Sequence, residues 1–116
     1  WELQVSDSLK VLGQSAPSAT TETTLYTVPD KAQTTVSSIV ICNRGSGAGT
    51  YRINISVAGA TTSNKEYLFF DKALASKVTE AHVIGITLNQ ADVVRVYASS
   101  GDFSFSLFGC ETLEER

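Results

Sequence analysis

Residues 51–57 read YRINISV, and their alternation decides the fold class. Tyr51, Ile53, Ile55 and Val57 share one side of an extended chain, and Arg52, Asn54 and Ser56 share the other. A period of two marks a strand with one buried face. Phe103, Phe105 and Leu107 repeat the pattern against Ser104 and Ser106. Val36–Cys42 is more continuously apolar (Ile39, Val40, Ile41, Cys42), which predicts a central strand covered on both faces.

The same reading predicts strands over Leu9–Leu12, Leu25–Val28, Glu66–Phe70, Val83–Leu88 and Val93–Ala98. Turn signals separate them. Arg44–Gly49 is a glycine-rich connection, Gly59–Lys65 a polar loop, and Asn89–Asp92 a tight turn. Ser99–Asp102 reads as a hairpin turn in which Gly101 takes a positive φ. Pro29-Asp30-Lys31 breaks the chain after the second strand. Asp71–Lys77 is the best helix candidate and is too short to form a layer. About eight short strands with regular turns predict an all-β, antiparallel sandwich in one domain. A jelly roll is one form of it, and a closed barrel is the alternative.

Composition agrees. The 116 residues can bury a core without metals or disulfides. The 14 Ser and 13 Thr suit sheets and turns. A net charge of −3 with scattered Lys and Arg argues against a nucleic-acid partner. No window of about 18 apolar residues occurs, so no membrane span is predicted, and no signal peptide is visible. The chain has no Met and begins at Trp1, so the expectation is that its natural start lies upstream or that the chain is a fragment or processed product.

The residues offer little catalytic chemistry. His82 is the sole histidine, and its parity matches Ile84, Ile86 and Leu88. It reads as a strand histidine with a satisfied ring rather than part of a nucleophilic triad. No His pair and no Cys-x-x-Cys suggest zinc, and no cofactor is expected. Asp30, Asp71, Asp92 and Asp102 lie beside turns, which explains them better than a metal site does. Gly45–Gly49 lacks the Gly-Lys-Ser/Thr ending of a phosphate loop. Cys42 and Cys110 read as strand thiols, with a bridge as the other option. Phe69 and Phe70 must point to opposite faces, so one of them needs cover from the chain, a neighbour or a carbohydrate.

Four segments carry a resemblance: KVLGQSAPSATTETTLYTVP at 10–29, IVICNRG at 39–45, AGAT at 58–61 and GITLNQADVVRVYASSGDFSFSLFG at 85–109. Together they resemble small virion structural proteins of tailed bacteriophages of the marine and cyanobacterial type. The likeness runs from Lys10 to Glu111. It implies a non-enzymatic particle component, placed in the virion and assembled in the host bacterial cytoplasm. A capsid decoration or cement protein is the first expectation. A tail, baseplate or fibre component is the second, with Tyr67 or Tyr97 stacking on host glycans. A cellular carbohydrate-binding or adhesion module is the third. The implied partners are the major capsid protein or tail proteins, and further copies of the chain in a homo-oligomer, a trimer being one form.

The reading divides the chain into an N-terminal arm (1–9), a sandwich (10–110) and a C-terminal tail (111–116). Trp1, Leu3 and Val5 form an alternating apolar edge able to add a strand to a neighbour. With Tyr67 and Phe70 they are the expected partner contacts.

Overall fold

The computed structural model describes residues 4–115. Among them run nine strands: β1 (Gln4–Ser15), β2 (Thr23–Thr27), β3 (Ala32–Asn43), β4 (Gly49–Ser56), β5 (Tyr67–Leu74), β6 (Thr79–His82), β7 (Ile86–Leu88), β8 (Val93–Ala98) and β9 (Phe103–Glu115). Short 3-10 turns at Val57–Gly59 and Asn64–Glu66 are the only helical pieces in that span. The expected helix at Asp71–Lys77 is not formed. Asp71–Leu74 completes β5, and Lys77 turns the chain with φ 60°.

The strands nest from the outside in. β1 pairs with β9, β2 with β8, β3 with β6 and β7, and β4 with β5, all antiparallel. β9 also pairs with β3, and β8 with β4. Two sheets result, one ordered β1-β9-β3-β6 with β7 also on β3, the other β2-β8-β4-β5. One long hairpin folded so that its strand pairs alternate between two sheets is a jelly roll. The barrel alternative fails because no ladder joins β1 to β2 or β5 to β6, so both margins stay open. Of the predicted strand Val83–Leu88 only Ile86–Leu88 forms, as β7, while β6 at Thr79–His82 precedes the predicted span. The break between β6 and β7 lies where β3 bulges at Ser37 and its register shifts.

Between the sheets lie Val36, Ile39, Ile41, Tyr51, Ile53, Val94, Val96, Phe103, Phe105 and Leu107, each buried. Each large apolar side chain so buried contributes about 1.5–3 kcal/mol. The alternation of 51–57 holds for Tyr51 and Ile53 and then decays. Val57 leaves the strand and is 70% exposed. Asn54 and Ser56, expected to face solvent, are buried. The loop after β4 folds over them. Arg95 donates to Ser56 Oγ, the Ala60 carbonyl and Thr62 Oγ1. Glu22 accepts from Asn54 and Thr62.

The expected arm and tail are, over residues 4–9 and 111–115, opposite strands of one ribbon. Glu111 faces inward, accepts from the Tyr26 hydroxyl and pairs with Lys10 Nζ at 2.6 Å. The molecule is long, 58 × 26 × 21 Å. β1 bulges at Leu12 and β3 at Ser37, both beside Phe108 of β9. Gly109 sits at this level, and a Cβ there would run into the Thr35 carbonyl. Gly101 does not take the positive φ expected of it. Among the described residues the left-handed positions fall on Gly59 and on non-glycines such as Lys31, Ala58, Asp71 and Ala91.

Candidate contact surface

β5 is an edge strand, and its ladder with β4 is interrupted on either side of Ile53↔Phe69. Extra residues at an edge bend the strand and re-aim its side chains. Here they bring Tyr67 and Phe70 to the outer face. The two rings meet edge-to-face with centroids 4.8 Å apart. Phe69 points the other way, stacks on His82 at 4.2 Å and packs against the core. The opposition of Phe69 and Phe70 is therefore as expected, and Phe70 is left 56% exposed.

Arg52, on β4, lies directly across from Tyr97 of β8. Its guanidinium carbon is 4.3 Å from the centroids of both the Phe70 and Tyr97 rings. Nε and one terminal nitrogen donate to the two Asp71 oxygens, at 2.7 and 3.3 Å. The Asp71 carboxylate raises the Arg52 pKa above its ordinary value. The outcome is a row across the outer sheet, Tyr97–Arg52–Phe70–Tyr67. Tyrosine and arginine in a fixed array are the residue types that dominate binding energy at protein interfaces.

Of the expected contact residues, Tyr67 and Phe70 come together in this row. Val5 lies in β1 opposite Glu114, and Trp1 and Leu3 lie outside the described residues. Sequence reasoning missed Arg52 and Asp71. Arg52 stood out only as a polar member of YRINISV, and nothing local tells which ring it will meet across the ladder.

The titratable groups gather elsewhere, at the margins where the two sheets face each other. The Tyr51 hydroxyl lies 2.7 Å from His82 Nε2 and donates to Glu80 Oε1 at 3.0 Å. His82 Nε2 is 2.9 Å from the same carboxylate, and Lys72 reaches it from β5. Burial, then the Glu80 contact, push the Tyr51 pKa upward. Burial alone would raise Glu80, but the Tyr51 hydroxyl and Lys72 together hold it below the ordinary carboxylate value. Tyr26 repeats the device at the β1 side, with Thr34 Oγ1 at 2.7 Å and Glu111 as partners. Both tyrosines tie one sheet to the other. Among the described residues no three His, Cys, Asp or Glu side chains cluster as metal ligands. Asp92 accepts the Ala58 and Asn89 amides and so closes its turn. Cys42 and Cys110 are both free thiols.

The outer face of the five-stranded sheet is different in kind. Its register stacks Leu9, Cys110, Thr35 and Thr87 in one row. Val11, Phe108 and Ser38 form the next. Gln14, Ser106, Val40 and Ala81 form a third. Ser104, Cys42 and Thr79 form a fourth. No side chain in these rows is charged.

No family model matches this chain, and no curated protein matches it. Among solved structures it is similar to a chain of "Structure of infectious bursal disease virus Gx strain". The alignment covers 99% of this chain and 32% of that one, with 13% identity and a TM-score of 0.49. This chain thus spans about a third of the length of its match. The jelly-roll assignment rests on the strand order alone.

Proposed function

We propose that this chain is a virion structural protein of a tailed bacteriophage, and specifically a non-enzymatic capsid decoration or cement protein. The resemblance over Lys10–Glu111 motivates the setting. The observation that carries the docking part is Arg52 held between Phe70 and Tyr97 beside Tyr67, an ordered aromatic and cationic row on an exposed sheet face. Ordering these side chains in the free protein lowers the entropy lost on binding. The partner is the major capsid protein. Many copies bound to one shell make weak single contacts adequate. The chain acts in the virion and assembles in the host bacterial cytoplasm.

A second reading, a tail, baseplate or fibre component touching host glycans, draws on the same rings. Phe70 and Tyr97 each turn a face to Arg52, which leaves less open ring surface for a sugar and favours a protein partner. Incubation of purified protein with empty, expanded capsids separates the two. Saturable binding that Phe70→Ala weakens supports the decoration reading. Absence of shell binding, with adsorption to host cells, overturns it.

A further inference from the structure

We infer that the outer face of the five-stranded sheet is a self-association face, on which a second copy of this chain packs about a twofold axis. The inference goes beyond the decoration reading and stands whether or not the chain belongs to a virion.

Three observations converge on this face. The first is charge. Ordinary protein surfaces are about 25–35% Lys, Arg, Asp and Glu, and interface cores are depleted of them. The four rows across β1, β9, β3, β6 and β7 carry none. Charges return at the margin, with Asp7 beside Thr112. The outer face of the other sheet, by contrast, carries Arg52, Asp71 and Arg95.

The second is β3. Its apolar run Ile39–Cys42 has the composition of a strand covered on both faces. Among the described residues only the Ile39 and Ile41 side is covered, while Val40 and Cys42 face outward and are half-buried. No described residue supplies the missing cover.

The third is the strip at the β1 side. Leu9 is 85% exposed and Val11 50%, and Phe108 stands between Val11 and Ser38. A contiguous apolar strip beside four sheet rows that carry no charge is a binding surface rather than scattered exposure.

The occupant follows from the same facts. A twofold contact sets each residue against the same patch of its copy, so a face of one net charge sign repels itself. A face without charges meets its copy at no electrostatic cost. It also offers nothing that would select a charged foreign partner. The size fits as well. Four strands about 4.8 Å apart and seven residues of β9 at about 3.4 Å each give about 450 Å² of flat sheet. Side-chain relief adds to that, and two copies reach the roughly 1,000 Å² that a specific interface needs.

Light scattering on the purified full chain over about 1–100 μM tests this, with the mass expected at twice 12.4 kDa at the upper end. Val11→Asp and Thr35→Lys each place a charge on the face without touching the core. Both are expected to remain at 12.4 kDa with unchanged circular dichroism. Thr24→Lys, on the outer face of the other sheet, is expected to dimerise like the wild type. A wild type that stays monomeric at 100 μM, one that forms trimers, or a dimer that survives both Val11→Asp and Thr35→Lys overturns the inference.

Discussion

The Tyr51 hydroxyl sits 2.7 Å from His82 Nε2, and this contact joins β4 of one sheet to β6 of the other. No backbone ladder closes that margin, so side chains do it. Removing the hydroxyl in Tyr51→Phe leaves Glu80 and His82 without their shared partner. The expected cost is about 1–2 kcal/mol in urea unfolding, with the same fold. An unchanged midpoint would show that the margin is held by packing alone, chiefly by Phe69 on His82.

Acid should weaken the protein. Glu66, Glu80 and Glu111 are all held below the ordinary carboxylate value in the folded state. Burial opposes this at Glu80 and Glu111, and hydrogen bonds and Lys partners outweigh it. Such groups bind protons more tightly when unfolded, where their pKa is about 4.3. Their contribution is complete above that value and is lost as pH falls through the lower folded pKa. Melting temperature measured from pH 7 to pH 3 should therefore drop most steeply below about pH 4.5.

The alkaline limb has the opposite sign. Burial, reinforced by a neighbouring glutamate, raises the pKa of Tyr26 and of Tyr51. Their neutral forms stabilise the fold fully below about pH 10, and that contribution is lost as pH climbs further. Spectrophotometric titration should find two of the four tyrosines silent until the chain unfolds.

Gly109→Ala should destabilise by about 1–3 kcal/mol, because the added methyl meets the backbone carbonyl of Thr35 and cannot be relieved by a rotamer change. Gly47→Ala, with open space around it, is the matched control. Chemical denaturation of the pair separates this clash from the general effect of replacing glycine.

Arg52→Ala should change stability by no more than about 1 kcal/mol, since its ion pair and ring contacts are near the surface. It should weaken shell binding tenfold or more, because Phe70 and Tyr97 lose the cation that orders them. A large loss of stability with unchanged binding would make the row a structural brace instead.

Much of the fold was legible because alternation is a strong signal. Phe103, Phe105 and Leu107 are buried as their spacing demands. The bulges at Leu12 and Ser37 were not legible, since one extra residue leaves no period of its own. They set which side chains of β1 and β3 face outward. Asn54 and Ser56 misled for another reason. Their partners are Arg95 for Ser56 and Glu22 for Asn54, both far along the chain, and no local pattern announces them. The contact row was half legible. Tyr67 and Phe70 could be named from one strand, whereas Arg52 and Tyr97 join them only through the β8–β4–β5 ladder.

The central claim is most directly tested by a cryo-EM map of the intact particle that contains this chain. The account predicts a two-sheet density on the outside of the head shell, with the Arg52, Phe70 and Tyr97 face against the major capsid protein. Density confined to the tail, or a head-bound copy with that face turned to solvent, would contradict it.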